Sequence, residues 1–202
     1  MVLLLRKERF LRQSIRKSPI TGWEYGMVNW VMGLFLTLFL AIILLATLQI
    51  RRFSMISLYM EDAVAASNLA SAIVDVEEYG ISKVLLIASP PEAYERYKKA
   101  LQGNLNLDRN MRGYGNGVLQ SEVVIENYTV YNVKGGVVEV YRYTPEGWTS
   151  WEAVLGAERA PNGLLIENTS IYSEISSQME VLRGVYIRAV KDGLADIVGG
   201  GG

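Results

Sequence analysis

The 202-residue chain contains no cysteine and no histidine. The first absence excludes a disulfide framework and thiolate chemistry, and the second removes imidazole as proton shuttle or metal ligand. A Ser-His-Asp triad, an H-E-x-x-H zinc helix and mixed Cys/His zinc sites are therefore excluded. The chain also lacks a G-x-x-x-x-G-K-[ST] phosphate loop and a G-x-G-x-x-G turn after a strand. What remains for catalysis is a Ser-Lys or paired-carboxylate arrangement, on groups such as Glu77-Glu78 that most chains of this size carry. The sequence is read as non-enzymatic, with no cofactor and no metal.

Charge is missing from Gly26 to Ile50, 25 consecutive positions that are almost wholly apolar between Met32 and Leu48. Roughly 20 such residues, rising about 1.5 Å each, cross a ~30 Å hydrocarbon core. A buried core helix of this length is seldom uncharged. A cleaved secretory signal has a shorter apolar run ending at small residues, whereas this one ends in Gln49-Ile50-Arg51-Arg52. The expectation is a membrane anchor over residues 20–50.

The net charge of −1 hides an asymmetry. Residues 1–52 carry Arg6, Lys7, Arg9, Arg12, Arg16, Lys17, Arg51 and Arg52 against Glu8 and Glu24, a net +6 that leaves −7 for the rest. Most of the basic residues precede the span, so the positive-inside rule puts residues 1–19 in the cytoplasm as a basic leader and the rest outside. Met1 to Leu5, followed by basic residues at helical spacing, would also suit the surface of an anionic leaflet.

Proline and glycine are absent from Leu34 through Tyr79. Apolar residues recur at helical spacing at Met55, Leu58, Tyr59, Val64, Ala65, Leu69, Ile73 and Val76, interleaved with small residues including Ala63, Ala66 and Ala70. The pattern predicts one continuous helix, its membrane half followed by an amphipathic half over 51–79, ending at Gly80 as C-terminal cap and reaching about 80 Å from Gly26. Residues 80–198 are expected to form an extracytoplasmic α+β domain, and roughly 120 residues are enough for a core. Ser89-Pro90-Pro91-Glu92 reads as an N-cap with proline in the first turn, opening a helix that stops at Gly103. Gly103 to Gly117 is a turn-rich loop.

From Val118 the period becomes two. Val123, Ile125, Asn127, Thr129, Tyr131 and Val133 are predicted on one strand face, with Val124, Glu126, Tyr128 and Val130 on the other. Lys134-Gly135-Gly136 is a hairpin turn returning along Val137 to Tyr143. Further strands are expected over Trp148–Leu155, Leu164–Ile166 and Gly184–Val190, in an antiparallel sheet of four to six strands. Gly199 to Gly202 is expected to be a frayed tail.

Several local patterns invite chemistry. Asn104, Asn106 and Asp108 alternate like the first half of a calcium loop, but Arg109 stands where the turning glycine belongs and Gly115 where the bidentate Glu belongs. Arg109, Arg112 and Tyr114 suggest a nucleic-acid groove, yet the acidic domain argues against phosphate binding, and no nucleic-acid partner is expected. Asn127-Tyr128-Thr129 and Asn168-Thr169-Ser170 match the N-glycosylation pattern, which is frequent by chance. Glu24, between Trp23 and Tyr25, is either an interfacial residue of an aromatic belt or a carboxylate that pairs with a neighbouring subunit.

The basic leader with Arg16-Lys17, the triplet Glu24-Tyr25-Gly26 opening the apolar run, and the helix to Tyr79 together resemble type IV pilins, in particular the TadE-like minor pilins and pseudopilins of bacterial tight-adherence (Tad) systems. Tyr94 to Leu101 and Ala160 to Tyr172 are similar to pseudopilin-like proteins of Gram-positive bacteria. The resemblance implies a pilin-like α+β fold, a long N-terminal helix packed on a small antiparallel sheet. It also implies assembly through Glu24 and Tyr25, with membrane lipid, other pilin-like subunits or secretion-platform proteins as partners. Family peptidases cut after glycine; the corresponding bond here is Pro19–Ile20, and proline hinders such a cut. With cleavage the chain is a releasable filament subunit; without it, a permanent membrane protein of a tight-adherence, secretion or conjugation apparatus. A second reading is a stand-alone anchored sensor or solute-binding ectodomain, with a pocket lined by Tyr128, Tyr141, Tyr143, Trp148 or Trp151.

Overall fold

The structure, a computed structural model, describes residues 22–114, 119, 121–182 and 184–198. The whole leader with Pro19, then Ile20, part of the loop before the first strand and the glycine tail lie outside the described residues. The chain divides after Leu48 into two units. Helix α1 (Gly22–Ser71) belongs to the first unit up to Leu48 and to the second from Gln49.

Over residues 22–48 the helix rises about 40 Å, more than a ~30 Å hydrocarbon core requires. Its apolar side chains are exposed from Met27 through Leu48. It is the one helix among the described residues long and apolar enough to cross a membrane. Its two threonine hydroxyls bond within the helix: Thr37 Oγ1 donates to the Gly33 carbonyl at 3.1 Å and Thr47 Oγ1 to that of Ile43 at 2.8 Å. That leaves little polar hydrogen-bonding demand toward an apolar surrounding.

In the second unit α1 ends at Ser71, not at Tyr79 as the unbroken pattern predicts. Val74 instead bridges to Ile87 as extended chain, and a separate short helix, α2 (Val76–Ser82), begins on Asp75. The Asp75 carboxylate accepts from the Glu78 amide at 3.0 Å, an N-cap that a continuous helix has no room for. Gly80 consequently sits inside α2, whose C-cap is Lys83 in the left-handed region at φ 59°. Helix α3 (Pro90–Leu105) starts on the expected Ser89 cap with proline in its first turn. It runs through Gly103 and stops at Asn106, whose φ of 54° turns the chain left-handed.

Five strands follow: β1 (Val123–Lys134), β2 (Val137–Thr144), β3 (Gly147–Val154), β4 (Ser170–Leu182) and β5 (Val185–Asp196). Lys134 pairs with Val137 across Gly135 and Gly136, both at positive φ, the tight turn that suits strand twist. Every pairing is antiparallel and the order is β3-β2-β1-β4-β5. The meander β1-β2-β3 and a fourth strand returning beside the first make a Greek key, which β5 extends by a hairpin. The architecture is the expected α+β arrangement of a long helix on an antiparallel sheet.

Two expectations about the sheet are corrected. The face assignment of β1 fails because a bulge between Ile125 and Asn127 shifts the alternation by one. Val123 and Ile125 therefore share a core with Tyr128 and Val130, while Tyr131 packs on the opposite face with Val138 and Val140. In addition, Leu164–Ile166 forms only a bridge between Arg159 and Leu165, and the long strand is β4. Its alternation reads Ile171-Ser173-Ile175-Ser177-Met179, all buried, with serine in place of the branched residues that usually mark a strand.

The sheet is covered on both faces. The upper part of α1 (Ile56, Met60, Ala63, Val64) and α3 (Tyr97, Leu101) pack into the larger core with β1, β4 and β5. On the other face the loop between β3 and β4 brings Ala160 and Ile166 onto Tyr131, Val138, Val140 and Tyr172.

Candidate functional site

Helix α1 carries the candidate site. Glu24 and Tyr25 fall in its first turn. Above Gln49 the helix has two unlike sides. Met55, Leu58 and Leu69, which belong to the apolar pattern of the amphipathic half, are 68%, 61% and 64% exposed. The covered face is Ile56, Met60, Ala63, Val64, Ser67, Asn68 and Ser71. Of the small residues interleaved in that pattern, Ala63 is buried against the sheet and Ala66 and Ala70 face outward.

Polar residues lie on the covered face because each finds a partner there. Asn68 Nδ2 donates to the Gly193 carbonyl at 2.9 Å, and Ser173 Oγ donates to Asn68 Oδ1 at 2.7 Å. Tyr128 donates to Ser71 Oγ at 3.1 Å, Asn104 Nδ2 to Ser67 Oγ at 3.1 Å, and the Tyr59 hydroxyl to the Asn104 carbonyl. A directional network of this kind tolerates little axial sliding, which a purely apolar stripe would resist less. Gly193 lets the strand come close: a Cβ there would stand 3.0 Å from Val64 Cγ1.

The aromatic residues considered for a ligand pocket are used in packing. Tyr128 is fully buried, with its ring 5.0 Å from Tyr97 and 5.5 Å from Tyr94. Tyr143 lies 4.2 Å from Tyr94, and Trp148 closes the cluster at 5.5 Å from Tyr143. Burial pushes the Tyr97 and Tyr128 phenols above their ordinary range. Trp151 carries the Arg142 guanidinium over its ring at 4.7 Å, and Tyr141 donates to Glu139 at 3.0 Å.

The calcium-like loop is occupied by its own backbone. Asp108 Oδ1 accepts from the amides of Asn110 and Arg112 at 2.8 and 2.9 Å, Asn106 is the helix cap, and Asn104 is bound to Ser67. Among the described residues no group of three or more acidic side chains is placed to hold a metal ion. In the N-glycosylation matches, Thr129 is buried and bonds Asn127, while Thr169 Oγ1 accepts from the Val133 amide.

Ion pairs tie distant segments. Lys134 reaches Glu78 of α2 at 2.8 Å, and that contact, with Ser82, holds the Glu78 carboxyl below its usual range. Glu126, at the β1 bulge, is held low by the Ser176 hydroxyl and then by Arg188 of β5.

Sequence reasoning missed the Asn68 network and the β4–β5 hairpin end. The spacing of Asn68 and Ser71 on the same helical side as Met60 and Val64 was the available signal. Comparison with known proteins finds no matching family model, no matching curated protein and no matching solved structure.

Proposed function

We propose that this chain is a structural, non-enzymatic, pilin-like subunit or membrane-anchored accessory component of a bacterial tight-adherence, secretion or conjugation apparatus. It sits in the cell membrane by a single pass, with residues 1–19 cytoplasmic and the sheet domain outside. The observation that carries the reading is the character of α1, apolar and exposed from Met27 to Ile50 and then presenting Met55, Leu58 and Leu69 outward. Lipid satisfies the first stretch. The second lies beyond Arg51-Arg52, where exposed apolar side chains at helical spacing suit another helix. In this account Glu24 and Tyr25 belong to the assembly surface, and Glu24 meets a cationic group of a neighbour. The sensor reading ranks lower because Tyr128, Tyr143 and Trp148, three of the aromatics it needs, are packed against the tyrosines of α3.

A photo-crosslinking residue in place of Leu58 or Leu69, in the full chain in its native membrane, tests this reading. Adducts with a like helix or a platform protein are expected, and a chain that stays uncrosslinked at both positions would sink it. Mass spectrometry of the mature N-terminus then separates the two forms: Ile20 marks the cleaved filament subunit, and Met1 the permanent accessory protein.

A further inference from the structure

We infer that the tip of the β4–β5 hairpin rests in the headgroup layer of the lipid leaflet from which α1 emerges, giving the chain a second membrane contact beside its helix. The inference depends on α1 being a membrane span; it does not depend on which apparatus the chain serves.

The levels of strand and helix match. Ser173 bonds Asn68, and further along the same strand Met179 lines a surface groove with Ile56, Arg52 and Tyr186. From Asn68 to Ile56 the helix descends about 18 Å, and from Ser173 to Met179 the strand descends about 20 Å. The two elements therefore run side by side toward the membrane. Leu182, paired with Val185, lies about 10 Å beyond Met179. Ile50 lies about 9 Å below Ile56. The hairpin tip thus reaches the level of Ile50, where the uncharged run ends.

The composition of the tip fits that depth. Val185, Tyr186 and Ile187 are consecutive, so they point to alternate faces of the strand, and all three are exposed, at 50%, 59% and 39%. A hairpin end in water ordinarily turns polar side chains outward on at least one face. Here β5 turns apolar side chains to both faces, with the exposed Glu180 of β4 cross-strand from Tyr186, and the tyrosine is the residue type that favours the headgroup layer. The Gly184 amide, which would be costly to leave unpaired near lipid, donates to the Glu180 carboxylate at 2.8 Å. Further up β5 the composition turns polar, with Arg188 bonded to Glu126 and Lys191 to Glu61.

Because the chain has no native cysteine, single labels are unambiguous. Val185→Cys, Ile187→Cys, Val154→Cys and Leu40→Cys are made in the full chain, spin-labelled and placed in phosphatidylglycerol/phosphatidylethanolamine vesicles at low protein density. Collision with oxygen and with a water-soluble nickel chelate is read at each. The labels at 185 and 187 should be shielded from nickel several-fold more than the label at 154, an exposed apolar position on the far edge strand β3. Equal nickel access at 185 and 154 would overturn the inference, with a lipid-buried label at 40 keeping the anchor intact. Dipolar broadening at 185 would overturn it in favour of a second copy. A nickel-accessible label at 40 would remove the anchor reading itself, and this inference with it.

Discussion

Asn68 of the long helix and Ser173 of β4 are joined by a 2.7 Å hydrogen bond, with the Asn68 amide donating in turn to the Gly193 carbonyl on β5. One buried side chain therefore connects α1 to two strands and sets how far along the sheet the helix sits. Three physical predictions follow from this network and the ion pairs around it.

Asn68→Ala leaves the Ser173 hydroxyl and the Gly193 carbonyl buried without that partner. The expected loss is about 2 kcal/mol, in the range for orphaned buried polar groups. Ser173→Ala should be milder, and the double variant should fall short of the sum by about 1 kcal/mol because the pair is in direct contact. Thermal melts of the detergent-solubilised chain measure all three; strict additivity would show that the two residues are not coupled.

Gly193→Ala puts a Cβ 3.0 Å from Val64 Cγ1. Val64 is fully buried and β-branched in a helix, so its rotamer has nowhere to go. A destabilisation of about 1 kcal/mol is expected from overpacking. Val64→Ala should make the alanine at 193 nearly neutral when the two are combined, which urea titration of the four-member cycle reads directly.

Glu126 and Glu78 are both held below their ordinary value of 4.5. A depressed carboxyl stabilises the fold above its unfolded value, and the contribution disappears as pH falls through the folded one. The melting temperature should therefore drop below about pH 4.5. Glu126→Gln should lower it at pH 7 and converge with the parent chain as pH falls through the folded value. Lys134 is raised from 10.5 by Glu78, so its share persists below that pH and is lost as pH rises through the folded value. The Lys134–Glu78 and Arg188–Glu126 pairs are about equally exposed, so Glu78→Gln should have an effect of similar size to Glu126→Gln, and 0.5 M salt should weaken both.

Much of the architecture was legible along the chain because it rests on short-range signals. The uncharged run from Gly26 to Ile50 determined a helix of membrane-spanning length, since burying its apolar surface needs no information from elsewhere in the fold. Ser89-Pro90 determined where α3 begins, and Gly135-Gly136 where the first hairpin turns, because each sets backbone angles locally. Tertiary structure decided the rest. Which side of α1 meets the sheet depended on partners for Ser67, Asn68 and Ser71 that lie on other elements, so counting apolar residues left that side undecided. The end of the helix at Ser71 depended on Val74 finding Ile87 and on Asp75 capping α2. The faces of β1 depended on one bulge, which inverts every later side chain, and β4 was hidden because its serines resemble a strand only once neighbours cover them. The level of Val185 against Ile50, on which the second membrane contact rests, exists only when strand and helix are laid side by side.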